Sequence, residues 1–202
     1  MIQVIGDLFF RISFICVFSS LTSLRLYFRI RSGLFHEPLY SPKEPIGFIL
    51  FRSIIGFPLL LAVFVYCFFP GLCRWSYLSL PVWLRLPGLV LAVIALLLLS
   101  WAHRTLGGNF STGLAPKANH SIILNGPYAL IRHPLYLAYF VLFVGAFLIS
   151  ENWMIGAAGL AIIGMLMTFR RVREERFLIE RFGDAYREYK AKTGAFIPRA
   201  GK

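Results

Sequence analysis

Five apolar stretches, each near the length at which a helix crosses a bilayer, constrain this chain more than any other feature. A hydrocarbon core of about 30 Å takes about 20 residues of helix, and about 17 suffice. The stretches run 8–24, 46–69, 86–102, 135–149 and 153–169. Interruptions are few and fall near the ends. Asp7 precedes Arg11 by four residues, a spacing that predicts an ion pair along one helix face. Arg52 lies close enough to an end to snorkel toward headgroups. Pro87 falls in the predicted first turn of the third stretch, where a missing N–H is harmless.

Composition agrees: 58% hydrophobic residues against 15% charged exclude an ordinary soluble domain. The blocks also exclude a disordered chain. The expected fold is an all-α polytopic bundle of about five transmembrane helices, forming a single membrane domain over residues 1–202. Within it, 1–102 carry the first three spans, 103–134 a loop, 135–169 a hairpin of spans four and five, and 170–202 a terminal helix and tail. Only Ser150, Glu151 and Asn152 separate the last two spans, which makes them antiparallel neighbours. The fifth is rich in small residues, including Gly156, Gly159 and Gly164, a composition that lets helices approach closely in lipid.

A formal charge of +12 would suggest nucleic acid in a soluble protein. Its placement argues otherwise. Seventeen Lys and Arg fall on one side of the predicted membrane, ten of them from Arg170 onward, against Arg74 and Arg85 on the other. The crowded side is expected to be cytoplasmic, with the amino terminus outside. Anionic membrane lipids then become the expected partners and nucleic acid is not needed. The amino terminus lacks the basic n-region and clean apolar core of a signal peptide, and is read as a retained span. Cys16, Cys67 and Cys73 form no CxxC pair and lie near no histidine cluster, so they are expected to be small buried hydrophobes. No P-loop, GxGxxG or HExxH is present, and neither metal nor classical nucleotide binding is expected.

Two segments on the crowded side have compositions too specific for connectors. Residues 106–136 hold an Asn125-Gly126-Pro127 turn, then Tyr128, Arg132, His133, Pro134 and Tyr136 at the mouth of the fourth span. An interfacial belt of Tyr and Arg explains that cluster as well as a site does. Residues 169–189 continue the fifth span as an amphipathic helix whose stripe is Leu178, Phe182, Tyr186 and Tyr189. Such a helix can simply lie on anionic headgroups. Arg170 and Glu174 extend the same face backwards, either as a plain ion pair or as two ends of a clamp for a zwitterion. The hairpin brings both segments to one end of the bundle.

At these residues the sequence resembles the isoprenylcysteine carboxyl methyltransferase family, within the small integral-membrane methyltransferases. The resemblance rests on His120-Ser121-Ile122-Ile123, Gly126-Pro127-Tyr128, Arg132-His133-Pro134-Leu135-Tyr136, Arg170, Glu174-Glu175 with Leu178, and Phe182-Gly183 with Tyr186 and Tyr189. It implies S-adenosylmethionine as cofactor, held by His120, Ser121, Ile122, Ile123, Tyr128, Arg132, His133, Pro134, Leu135, Tyr136 and Glu174. It implies Arg170 as the catalytic residue, meeting the carboxylate of a lipid-like or prenylated substrate such as an isoprenylated cysteine. The short amino-terminal half is similar to minimal prokaryotic members and places the protein in a prokaryotic cell membrane rather than the endoplasmic reticulum. Phospholipid N-methylation, an NADPH-dependent sterol-type reductase and a non-enzymatic lipid-docking protein remain as alternatives.

Overall fold

The computed structural model describes residues 2–32, 46–107 and 122–199. His120 and Ser121 therefore lie outside the described residues. Seven α-helices follow in order among those described: α1 Ile2–Arg31, α2 Ile46–Phe68, α3 Val82–Leu106, α4 Pro134–Ser150, α5 Trp153–Met165, α6 Arg171–Phe182 and α7 Asp184–Lys192. Among the described residues, four helical stretches are long and apolar enough to cross a membrane: Gly6–Arg31, Ile46–Phe68, Val82–Leu106 and Trp153–Phe182. The fifth expected span is the shorter apolar helix Pro134–Ser150. At 17 residues it rises about 25 Å. The fold is an integral-membrane helix bundle.

Burial is inverted relative to a soluble protein. On α2 only Leu59, Ala62 and Tyr66 are buried, while Ile54, Phe57, Leu60 and Phe64 point outward. Outward apolar residues suit a lipid solvent, in which backbone polar groups must be satisfied internally. The interior is lined by Phe10, Phe14, Leu99, Leu142, Ile149 and Ile155. Helix α4 is the central element, between α3 and α5.

Helices α3 and α4 approach closely through their glycines, and the sequence reading missed it. A Cβ on Gly145 would stand 2.7 Å from the Gly88 carbonyl oxygen and 2.9 Å from the Ala92 nitrogen, and one on Gly88 would stand 2.6 Å from Leu148 Cβ. On α5, Gly156 and Gly159 instead make seats for the rings of Phe147 and Phe143, and Gly164 meets nothing. Small residues in the fifth span thus accommodate aromatic side chains rather than a neighbouring backbone.

The joint between α4 and α5 is tight, as its length predicts. Glu151 takes a left-handed conformation at φ 55°, and the Asn152 side chain accepts from the backbone of Met154 and Ile155 at 3.0 and 3.2 Å, capping α5. Asn152 also donates to Ser76 Oγ at 2.7 Å, which fixes the Pro70–Ser76 turn after α2 at this end.

Here the structure departs from the expected Asp7–Arg11 pair. Arg85 is buried and reaches Asp7 Oδ1 at 2.8 Å, bonds to the Glu151 carboxylate, and donates to the Ile149 carbonyl through Nη2 at 3.0 Å. Its guanidinium also lies 4.0 Å above the Phe10 ring. A buried cation demands several partners at once, so Arg85 draws Asp7 across from α1. Two further expectations shift. Pro87 stands a turn inside α3, because Val82 already starts the helix after Pro81; and only Cys73 is buried, Cys16 being exposed.

Asp7, the start of α3 and the α4–α5 joint share one end. At the opposite end, Phe28 of α1 stacks on His103 of α3 with ring centroids 5.0 Å apart. The beginning of α4 and helices α6 and α7 also gather there. Four crossing-length helices and the shorter α4 make up the helical bundle that the sequence reading expects.

Candidate functional site

The candidate site is built at the end where the start of α4 meets the continuation of α5. Between Met165 and Arg171 the helix opens into a π turn over Leu166–Arg170. Thr168 helps by donating its hydroxyl to the Gly164 carbonyl at 2.8 Å, a back-bond that competes with the helical ladder. Such turns occur often at functional sites because they re-aim the residues that follow. Here those residues are Arg170, Glu174 and Glu175.

Arg170 and Glu174 share a face, as their spacing predicts, with Arg170 Nε 3.0 Å from Glu174 Oε1. The same oxygen accepts from the Tyr136 hydroxyl at 2.8 Å. Its partner oxygen, Glu174 Oε2, lies 4.0 Å from His133 Nδ1. The His133 and Tyr136 rings stack at 5.5 Å and 13°. Glu174 thus heads a half-exposed carboxylate cradle with aromatic faces on the α4 side.

Behind it sits a second acid whose role the sequence reading missed. Glu175 is buried, and its Oε1 accepts from Arg132 Nε and Nη2 at 3.2 and 3.0 Å and faces His133 Nε2 at 3.0 Å. Its Oε2 meets Lys190 Nζ at 2.8 Å. Successive helix residues point about 100° apart. Glu174 is therefore partly exposed while Glu175 faces the interior. The sequence offered only its place in the motif beside Glu174; a buried carboxylate needs cationic partners, and these, Arg132 and Lys190, lie far along the chain.

Arg132 and His133 are inward, which removes the interfacial-belt alternative for them. Arg132 also binds the carbonyls of Lys190 and Thr193. Tyr128 is buried in the Gly126–Ala129 turn, and its carbonyl accepts from the Tyr189 hydroxyl at 2.6 Å. Gly126 takes φ +57°, and a Cβ there would meet Thr105 Oγ1 at 2.6 Å. Burial raises the phenols of Tyr128 and Tyr186 above the ordinary tyrosine range and pushes Tyr189 up to about 12. All three remain neutral hydrogen-bonding groups.

Pro134 opens α4 and is buried, and Leu135 packs against the core. Ile122 and Ile123 are half-buried residues leading toward the Tyr128 turn. The expected single stripe of Leu178, Phe182, Tyr186 and Tyr189 is divided between two helices. Gly183, at φ 56° and ψ −127°, ends α6. That conformation is open to glycine and strained for other residues.

Comparison with known proteins bears out the resemblance read from the sequence. The model of the isoprenylcysteine carboxyl methyltransferase (ICMT) family matches residues 88–180, which contain Tyr128, Arg132 to Tyr136, Arg170 and Glu174. Protein-S-isoprenylcysteine O-methyltransferase of Schizosaccharomyces pombe is 31% identical over 94 residues, covering 46% of this chain and 40% of that protein. The nickel-cobalt-cadmium resistance protein NccN of Alcaligenes xylosoxydans xylosoxydans is 28% identical over 164 residues, covering 81% of this chain and 73% of that protein. The solved structure of the eukaryotic intramembrane Ras methyltransferase ICMT aligns with a TM-score of 0.53 at 24% identity, over 92% of this chain and 67% of that one. The fold is therefore ICMT-like. The chain spans under half the length of the isoprenylcysteine methyltransferases it matches first.

Proposed function

We propose that this chain is an integral-membrane methyltransferase that uses S-adenosylmethionine to esterify the carboxylate of a lipid-like acceptor such as an isoprenylated cysteine. One observation carries the reading: the Glu174 carboxylate, ordered by Tyr136 and Arg170, stands beside the stacked His133 and Tyr136 rings at the start of α4. The donor set fits S-adenosylmethionine, whose aminoacyl end needs an anion and whose sulfonium and adenine favour aromatic faces.

In this reading Glu174 binds the ammonium, and His133, Tyr136 and Tyr128 supply flanking rings. Ile122, Ile123, Pro134 and Leu135 contribute apolar wall, Arg132 fixes the α4 entrance from behind, and His120 and Ser121 belong to the same set by resemblance. When bound, the cofactor would supply a methyl group on a sulfonium; the acceptor oxygen takes that methyl in line and the neutral thioether is the leaving group. Arg170 orients the acceptor carboxylate, for which a planar fork of donors is suited. A carboxylate is already ionised at neutral pH, so the chain needs no general base and contributes mainly position. Placing the site at the end of lipid-facing helices lets an apolar acceptor tail stay in the membrane.

The end of the bundle that holds the site carries most of the Lys and Arg, which supports a cytoplasmic placement. Incubating the purified protein with tritiated S-adenosylmethionine and an N-acetylated prenylcysteine tests the proposal. Label released as methanol by mild alkali is expected, because an ester is cleaved under conditions that leave an N-methyl amine intact. Alkali-stable label on ethanolamine lipid would instead establish N-methylation.

A further inference from the structure

Beyond α7 the chain turns back and lies along the residues that precede α4. Ile131 and Gly194 form a parallel bridge. The Arg132 backbone N–H donates to the Gly194 carbonyl at 2.9 Å, and that of His133 to the Ala195 carbonyl at 3.0 Å. The Arg132 side chain bonds to the carbonyls of Lys190 and Thr193, while Glu175 holds Arg132 and Lys190 together. The turn leaves no room for a side chain: a Cβ on Gly194 would fall 1.9 Å from the Ile197 carbonyl oxygen. These bonds set Phe196 against His133 at 6.0 Å between centroids, on a ring already stacked with Tyr136 at 5.5 Å. The Arg171 guanidinium lies 5.5 Å from the Phe196 ring.

We infer that residues 193–199 form a strap that completes the donor pocket, and that Phe196 is a positioning residue acting through His133. His133 is held at three points: Tyr136 on its face, Glu175 at Nε2, and Phe196. The first two come from within the family match, and the third lies beyond it, which ends at residue 180. A five-membered ring anchored at one nitrogen can still pivot about that bond. Flanking aromatic rings remove this freedom before a ligand arrives, and pre-organisation of that kind appears as affinity. The inference rests on the assignment of the site to S-adenosylmethionine.

The test is calorimetric binding of S-adenosylmethionine to full-length protein in detergent, comparing wild type, Phe196→Ala, His133→Ala, the double variant and Glu174→Ala. Two rings acting as a unit couple strongly, whereas independent ones add. Phe196→Ala is expected to weaken binding about tenfold in the wild type and less than about twofold in the His133→Ala background. Phe196→Tyr, which keeps the ring, is expected to restore the wild-type constant. Should Phe196→Ala fail to fold, Phe196→Leu keeps volume without the ring and is expected to weaken binding about threefold. An equal loss in both backgrounds overturns the inference, as does wild-type binding by Phe196→Ala or Phe196→Leu. Glu174→Ala separates the two readings: its loss alone leaves the site and removes the strap, whereas no binding by wild type removes the site itself.

Discussion

Glu175 Oε1 receives Arg132 through both Nε and Nη2, at 3.2 and 3.0 Å, inside the bundle. This pair joins the start of α4 to α6 and, through the other bonds of Arg132, to the end of α7. Removing one member of a buried pair leaves the other charge uncompensated, which costs about 3–5 kcal/mol. Glu175→Ala is therefore expected to lower thermal stability in detergent strongly. Glu174→Ala, at the half-exposed neighbouring position, should unfold near the wild-type temperature. Equal behaviour of the two variants in a melting experiment would contradict the division of roles between adjacent acids.

The opposite end of the bundle provides a contrast between buried and exposed partners of one cation. Arg85 and Glu151 are both buried, while the Asp7 side chain is 62% exposed. Arg85→Met is expected to destabilise by about 3–5 kcal/mol, and Asp7→Asn by only about 0–1 kcal/mol. Neither residue lies near the proposed site, so the folded fraction of each variant should bind S-adenosylmethionine with the wild-type constant. Thermal melts read together with calorimetry separate the two quantities.

Glycine substitutions test the α3–α4 contact. A methyl on Gly145 meets backbone atoms of Gly88 and Ala92, which cannot rotate away. Gly145→Ala should cost about 1–3 kcal/mol through overpacking. Gly164→Ala meets nothing within 4 Å, and should be neutral or gain up to about 1 kcal/mol from helix propensity. A melting temperature unchanged by Gly145→Ala would show that the two helices do not approach this closely.

Much of this arrangement was legible in the chain because it depends on local pattern. Span lengths, the short Ser150 to Asn152 joint and the i,i+4 placement of Arg170 and Glu174 follow from helix geometry alone. The hairpin then brings Arg132 to Tyr136 beside Glu174 without further information. What was not legible depends on partners distant in sequence. Asp7 is taken by Arg85 rather than by its helical neighbour Arg11, because a buried guanidinium outbids a local pair. Gly88 and Gly145 read as isolated glycines until their helices are opposed. The π turn at Leu166–Arg170 has no composition signature, and Gly183 ends a helix whose stripe continues across it. Glu175 was visible in the motif, but its role depends on Lys190 and Arg132, neither of which shares its turn.

Arg170 and Glu174 should separate kinetically, although they touch. Glu174→Gln removes the anion assigned to the donor ammonium, and a charged hydrogen bond of about 1.5–3 kcal/mol corresponds to a roughly 10–100-fold weaker Kd. Arg170→Lys keeps the charge but loses the planar fork. It is expected to raise the KM for the carboxylate acceptor while donor binding changes little. Steady-state kinetics at saturating donor would expose the reverse pattern if the roles were exchanged.

The most direct measurement is calorimetric titration of the detergent-purified protein with S-adenosylmethionine, S-adenosylhomocysteine and NADPH, with Glu174→Ala alongside. The account predicts binding of both adenosyl compounds by the wild type, its loss in Glu174→Ala, and no binding of NADPH. Binding of NADPH alone, or of the adenosyl compounds equally by both proteins, would contradict it.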